Sequence, residues 1–538
     1  MDSKQFRDAA VSAVDEIVKY YDTIEERRVA STVEPGYLRK LLPEEAPQDG
    51  ESWADIQKDL EAKILPGITH WQSPNFLAWF PSSSSFPAML GEMYSAALTG
   101  AAFNWICSPA VTELETIVLD WLARALALPP CFLSTGPTGG GGVIHGTASE
   151  AVATVLVAAR DRYLRDATAH LTDPDAREDA IALRRTRLVA LASAAAHTAT
   201  RKAAQIAGVR FRTVPVYPED GYRMTGAAVR DVVLALRARG LEPFYLTATL
   251  GTTDTCAIDD MDGIAEVLEE LGPSPEFPVG GSGGEVWVHI DAAYAGSALV
   301  CPEHRLPDDS RVLSRFDSFN VNLHKWLLVN FDCSALFVRD RRPLIAALST
   351  SPLAILSNAP TDSGLVTDYR DWQIPFGRRF RALKVWFVLR SYGVAGLRAH
   401  IRRHVTLAET FAAQAHERAD LFEIVTGPRF ALTLVRVARS AVLPPPSGAP
   451  DGEEEGEAEA EEEAEVEARR NVLTKRVYDA ILADGRIFLS STVLSDGVFA
   501  IRHNPATPFV QARHVDKHFE VFVEIAEKVL AEAKAEAK

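Results

Sequence analysis

Residues 285–298, EVWVHIDAAYAGSA, read as a β-strand that runs into an acid, Asp291, and then into a series of small residues. Its apolar run is continuous rather than alternating, as expected of a strand covered on both faces. The same rhythm extends upstream. RLVALAS (187–193), VRFRTVPV (209–216) and PFYLTATLGTT (243–253) read as strands, and HTATRKAAQIAG (197–208), residues 225–239 and residues 260–271 as helices between them. This alternation predicts an α/β protein with a mostly parallel sheet and helices on both faces. Ligands of such sheets sit beyond the C-terminal ends of the strands. The tips at Thr249, Asp291 and Lys325 are therefore expected to meet at one edge.

Downstream, SFNVNLHKWLLVNFDCS (318–334) holds one lysine, Lys325, between His324 and Trp326 in a mostly apolar run. An ammonium is costly to bury unless it is neutralised. Two readings are open: a lysine at a strand end that reaches water, or a desolvated amine that forms an imine with an aldehyde. STGPTGGGGVIHGTASEA (134–151) predicts a turn at glycines 139–142, then a helix entered through GTASE. Free N–H groups at a helix start suit a phosphate. The stretch is neither a dinucleotide fingerprint nor a P-loop, because GxGxxG and Gly-Lys-Ser/Thr are both missing.

Residues 4–28 carry Phe6, Ala10, Val14, Ile17 and Tyr21 at helical spacing and read as an arm that packs on something else. Residues 64–90 set Trp71, Phe76, Trp79, Phe80 and Phe86 among four prolines, a composition suited either to core packing or to walling a pocket for a flat ligand. Thr112 with Glu115 has the spacing of a capping box for a helix over 112–126. Met93–Thr112 is free of charges but holds Asn104 and Pro109, and reads as buried core rather than a membrane span. Residues 340–364 read as a lid loop, and residues 377–384 as a glycine followed by a basic cluster entering a long helix.

Composition narrows the function classes. The chain of 538 residues is 47% hydrophobic and 24% charged, as in soluble globular proteins. Its net charge is −17, but eleven acids and no base lie in Asp451–Glu467, leaving −6 for the rest. There is no basic footprint for nucleic acid and no apolar signal core in MDSKQFRD. Five scattered cysteines (Cys107, Cys131, Cys256, Cys301, Cys333) without a CxxC pair argue against a zinc site or a disulfide framework, and fit a reducing, cytoplasmic setting.

Four features suit one cofactor, pyridoxal 5′-phosphate: a lysine for the imine, an acid for the ring nitrogen, a phosphate cradle and a flat partner for the ring. Lys325, Asp291, Gly146–Ser149 and His197 supply them in turn. Asp291 can keep the pyridine nitrogen protonated. Taken singly, Asp291 also reads as a helix cap and His197 as a surface histidine.

The pieces THWQSPNF, FPAML, SPAVTELE, GGGVIHGTASEA, TATLGTT, HIDAAYAGSA, NLHKWLLVNFDCSA, DSGLVTDYRDWQIPFGRRFRALKVWF and YGVAGLRAHIRRHV resemble the group II pyridoxal-phosphate-dependent decarboxylases, aromatic-L-amino-acid decarboxylases in particular. The resemblance runs from about residue 5 to the C-terminus and breaks only at the acidic stretch. It implies the type I fold of pyridoxal-phosphate enzymes (aspartate aminotransferase-like). Residues 1–85 would form a helical arm on the partner subunit, 86–377 a large cofactor-binding domain, and 378–538 a small α/β domain with a disordered acidic insertion at about 444–468. It implies Lys325, His197 and Asp291 as catalytic residues, with Thr147, Ala148, Ser149, Thr249, Ala293, Asn322 and His324 also around the cofactor. Trp71, Trp79, Phe80, Ser82, Phe103 and Gly377 would form the substrate wall of an intertwined homodimer, with the site at the subunit interface. Gly377 stands where the family uses glycine for bulky substrates, which favours an indole such as tryptophan or 5-hydroxytryptophan.

Three departures mark the sequence. STSPLAILSNAP (349–360) lacks the lid tyrosine that returns a proton to the α-carbon in the family; Leu353, Ala354 and Ile355 follow Pro352, and no tyrosine lies between Tyr294 and Tyr369. Another acid, His324 or a water, would have to serve. Relatives with phenylalanine at that place make an aldehyde in an oxygen-dependent reaction, so an aldehyde synthase stands beside the decarboxylase, with a non-catalytic dimeric homologue as a third reading. His145 replaces the usual glutamine. Leu323 replaces the proline usually found before His-Lys, which predicts a looser backbone there.

Overall fold

Successive side chains of a strand point to opposite sides, and in the computed structural model the strands read above divide between two apolar layers accordingly. The structure describes residues 1–273, 285–306, 309–349, 366–442 and 455–536. Seven strands form the large sheet: β1 (Gly141–His145), β2 (Leu188–Ser193), β3 (Arg210–Val214), β4 (Glu242–Thr249), β5 (Trp287–Asp291), β6 (Ser318–Asn322) and β7 (Ser334–Val338), in the order β1-β7-β6-β5-β4-β2-β3. Leu188 and Ala190 of β2 join one layer with helices Ala148–Ala167 and Ala199–Ile206, whereas Val189 and Leu191 join the other. Strands β3, β2, β4, β5 and β6 are parallel; β7 runs antiparallel to both β6 and β1. The mostly parallel sheet is thus as expected.

A smaller antiparallel sheet of β8 (Phe422–Arg429), β9 (Leu432–Val437), β10 (Ser490–Val493) and β11 (Phe499–His503) has the order β10-β11-β9-β8. It packs with helices Glu455–Asp484 and Ala512–Glu536 around Phe411, Phe422 and Phe522. The long helix Arg381–Glu417, broken at Gly393, leads from one sheet to the other. Helix Phe86–Ala97 crosses it so closely that a Cβ on Gly91 would lie 2.5 Å from the Lys384 Cα.

Six local expectations are corrected. Glycines 139–142 are not all turn: Gly141 opens β1, and a Cβ on Gly142 would meet the Phe337 ring at 2.9 Å, so close packing accounts for the glycine there. The 112–126 helix begins earlier, at Pro109 after Ser108, because proline at a first turn loses no hydrogen bond. Thr112 and Glu115 are therefore interior, and Glu115 is buried, accepting from the Ile144 N–H (2.8 Å) and pairing with Arg378. Of the insertion expected to be disordered, 443–454 lie outside the described residues, but from Glu455 onward the chain is helix; alanine and glutamate are strong helix formers. Met93, Tyr94, Leu98 and Ile106 are exposed rather than core. The backbone at Leu323 is not loose, since Leu323 is buried and starts a helical turn closed by the Leu327 N–H. Of the loop expected at 340–364, Arg342–Leu348 is helix instead, and most of the remainder lies outside the described residues (350–365).

Candidate active site

The parallel register carries the site. Thr249 lies opposite Asp291, and Asp291 opposite Asn320, so β4 and β5 end level and β6 runs two residues further, to Asn322. β6 runs from Asn322 directly into the turn Leu323–Trp326, which presents Lys325. Across the sheet, β1 ends at His145 and the helix Ala148–Ala167 starts after Thr147, whose side chain caps the Glu150 N–H. These tips enclose a cavity of about 180 Å³. Thr147, Ala148, Ser149, His197, Thr249, Asp291, Ala293, Asn322, His324 and Lys325 all line it, together with Phe80, Gly251, Thr253, Tyr294 and Phe331.

Hydrogen bonds fix most of these groups. The Asp291 carboxylate accepts from the Ala293 N–H (3.1 Å), and the Ala293 carbonyl from the Asn322 N–H (3.0 Å). His197 Nδ1 accepts from the Ala199 N–H (3.1 Å), which places a neutral ring's proton on Nε2. Burial holds His197 below its ordinary pKa, with Asp291 opposing and Lys325 assisting. Burial likewise pushes the Lys325 amine down, against the pull of Asp291, and a depressed amine is a better nucleophile at neutral pH. His324 Nδ1 accepts from the Cys333 N–H (2.9 Å), and burial, aided by Lys325 and Lys384, pushes its pKa down to about 3. A ring that stays neutral is a poor acid, so His324 does not suit the role of replacement proton donor.

Beside Lys325 stands a column of rings. Phe80 stacks on Tyr294 (3.9 Å, 14°), Tyr294 on Trp326 (4.6 Å, 11°), and Trp326 donates Nε1–H to His404 Nδ1 (2.8 Å). Phe80 is placed there by its neighbour, because the Trp79 N–H and C=O bond Ser490 and Asn504 of the small domain (both 2.9 Å). The Lys325 Nζ lies 5.5 Å from the Phe80 ring centre and the Arg502 guanidinium 5.2 Å from it. Arg502 and Tyr294 were not singled out in the sequence. Tyr294 sits inside the quoted β5 stretch, but nothing in the spacing around Arg502 marks it.

The rest of the expected substrate wall stands apart in this chain. Trp71 and Trp79 stack on each other (5.2 Å) and are 36% and 46% exposed. The Ser82 carbonyl accepts from Gln72 (2.7 Å), and Phe103 packs on Phe376 (4.9 Å). Among the described residues, only the Ala101 carbonyl comes within 4 Å of a Cβ built on Gly377. Of that group, Phe80 alone lines the cavity.

The residues fit pyridoxal phosphate. An amine faces the cavity with an acid at the adjoining strand end, and a capped helix start faces it from the side. Thr249 Oγ1 and Asn322 Oδ1 are buried without a hydrogen bond, polar capacity that a ligand would use. When bound, the cofactor draws electrons from the substrate's α-carbon. Fold and site together define a pyridoxal-phosphate enzyme of type I fold.

Residues 35–437 match the family described as the pyridoxal-dependent decarboxylase conserved domain. The chain is 42% identical to tyrosine decarboxylase 2 of Narcissus pseudonarcissus, covering 99% of this chain and 96% of that one. It is 41% identical to phenylacetaldehyde synthase of Arabidopsis thaliana (98% and 97%) and 45% identical to the aromatic-L-amino-acid decarboxylase of Rattus norvegicus (82% and 87%). The solved structure of Oryza sativa TDC with PLP and tryptamine superposes with a TM-score of 0.85 at 34% identity, covering 98% of this chain and 99% of that one. The chain belongs to the pyridoxal-dependent decarboxylase family, and within it to the carboxy-lyases of the aromatic-L-amino-acid decarboxylase type. Among the described residues no helix is long and apolar enough to cross a membrane.

Proposed function

We propose that the protein decarboxylates aromatic L-amino acids to arylalkylamines and CO2, with tryptophan or 5-hydroxytryptophan preferred over tyrosine, phenylalanine and DOPA. The observation that carries this reading is the single cavity in which Lys325, Asp291 and His197 meet the start of helix Ala148–Ala167. Lys325 would hold the cofactor through its aldehyde. Asp291 holds the ring nitrogen protonated. His197 covers the ring and offers Nε2–H to the substrate carboxylate. Thr147, Ala148 and Ser149 hold the phosphate.

The working unit in this reading is a cytoplasmic homodimer. Phe6, Val14 and Ile17 on helix Ser3–Asp22, with Trp71, Trp79, Leu98 and Ile106, are exposed in one chain, apolar side chains that a partner subunit would cover. The arm 1–85 would cover the partner, and the aromatic residues now apart from the cavity would complete the partner's substrate wall. A large domain at 86–377 and a small one at 378–538 complete the arrangement.

A second reading, an oxygen-dependent aldehyde synthase, is favoured by the missing lid tyrosine. Incubation with tryptophan, tyrosine and phenylalanine, with and without oxygen, separates the two. Amine with CO2 in both conditions supports the decarboxylase. Aldehyde, ammonia and peroxide formed only with oxygen replace it with the synthase. Borohydride reduction followed by peptide mapping should label Lys325; a label elsewhere refutes both.

A further inference from the structure

A second cavity, of about 440 Å³, opens between the large domain and the β8–β9 hairpin, lined by Gly221, Arg223, Cys256, Ile258, Arg429 and Phe430 among others. Its volume lies within the range of small-molecule sites. Arg223 and Arg429 both line it, and neither forms an ion pair with a described residue. Arg429, only partly exposed, donates to the Gly221 carbonyl (2.9 Å) and forms no ion pair with a described residue. Arg223 is exposed and likewise unpaired, and lies near enough to depress the Arg429 pKa, an effect secondary to burial. Like charges brought together and partly desolvated are unfavourable unless an anion joins them. The one acid on the lining, Glu409, acts on His304, which also lines the cavity.

Strain marks the same place. Tyr222, Cys256 and Phe430 have φ of 61°, 55° and 54°, three of the seven non-glycine residues with positive φ among those described, and such strain gathers at functional sites. The cavity also abuts the cofactor site. The Gly251 and Thr252 N–H groups both bond the Ala257 carbonyl (3.0 and 2.9 Å), and the Cys256 Sγ lies 3.3 Å from where a Gly251 Cβ would stand. One short loop thus has Cys256 and Ala257 on this cavity and Gly251 and Thr253 on the other.

We propose that this cleft is a second ligand site for a small organic anion, a carboxylate held by Arg223 and Arg429 whose apolar body rests on Ile258, Phe430 and Val405. The site does not depend on which reaction the enzyme runs.

Calorimetric titration of the full-length holoenzyme with 3-phenylpropanoate tests it. The wild type is expected to show one binding site per chain that weakens as salt rises and does not take the neutral 3-phenylpropanamide. Arg223→Ala and Arg429→Gln should each weaken that site about tenfold or more, the effect of losing one charge-assisted hydrogen bond, while any binding in the cofactor cavity persists. Arg223 is exposed and makes no hydrogen bond, so its variant should fold, and unchanged cofactor absorbance confirms it. No binding to wild type at millimolar probe, or the same sites and affinities in both variants, overturns the proposal.

Discussion

Trp326→Phe tests whether the ring column beside Lys325 is a mechanical support. The indole is fully buried, and its Nε1–H is donated to His404 Nδ1 at 2.8 Å. Burial, with His400 and Arg403, keeps His404 well below its ordinary pKa, so it is a neutral acceptor. Phenylalanine would keep a ring against Tyr294 but leave that nitrogen buried and unpaired, at a cost of about 1–3 kcal/mol. The smaller ring adds about 1 kcal/mol of lost packing, for about 2–4 kcal/mol in all. His404→Leu strands the Trp326 N–H at a similar cost. The double variant has no stranded partner, so it should be less destabilised than the sum of the singles by about 1–3 kcal/mol. Urea unfolding followed by ellipticity, with cofactor saturating throughout so that ligand stabilisation is constant, supplies the four values. Because Trp326 follows Lys325 and Tyr294 lines the cavity, Trp326→Phe should also weaken cofactor retention. Additivity within about 0.5 kcal/mol, with cofactor affinity unchanged, would refute the reasoning.

Stability should fall as pH drops from about 6.5 to 4. Burial pushes His324, His400 and His503 down to about 3 and His289 to about 4, so the unfolded chain binds protons that the folded chain refuses, up to about 3 kcal/mol per histidine at pH 4. Asp259, raised to about 7 by burial, works the other way, losing stability as pH rises from about 4 to 7, but it is one group against four. Urea midpoints across this range should climb with pH, and His503→Gln should flatten the climb; a level profile would contradict the assignment. Glu115→Ala leaves Arg378 buried without its carboxylate and should cost about 3–5 kcal/mol, with Glu115→Gln milder, both read from unfolding midpoints. Gly377→Ser has room to fold normally and should lower the ratio of kcat/KM for tryptophan over tyrosine; an unchanged ratio argues against a role for residue 377 in specificity.

Strands β2, β3, β4 and β5 were legible because they alternate with helical periods, whereas β1, read as part of a glycine turn, and β7 were not read as strands. Within the cavity, Thr249, Asp291 and Lys325 were marked by the strand pattern and Ala148 and Ser149 by the helix start, while Asn322, His324 and Ala293 were expected from the family resemblance alone. What spacing cannot mark is contact between distant segments. Phe80 reaches Lys325 only because Trp79 is tied to Ser490 and Asn504, more than 400 residues away. Arg502 lies on β11 of the other sheet, where no local pattern distinguishes it from a surface arginine. The capping-box reading of Thr112 and Glu115 failed because Glu115 serves a tertiary partner, Arg378, a demand that local rules do not contain.

The basic run at 378–384 shows how such long-range pairing shapes the site. From sequence it is a dense cluster of cations; in the fold each has an acid. Arg378 meets Glu115, Arg379 meets Glu92 and Asp332, Arg381 meets Asp332 (3.0 Å), and Lys384 meets Glu92 while also donating to the Asn330 carbonyl (3.0 Å). Despite burial, Arg381 and its neighbours hold the Asp332 carboxyl below its usual range. These pairs join helix Phe86–Ala97, the loop that follows Lys325 and the start of the long helix. Partly buried pairs such as Arg381–Asp332 and Lys384–Glu92 are screened little by salt, so they anchor the loop after Lys325 to the long helix and to helix Phe86–Ala97. The amine is therefore set by two independent supports, one of rings and one of charges, and neither depends on the strand register that brought it to the sheet edge.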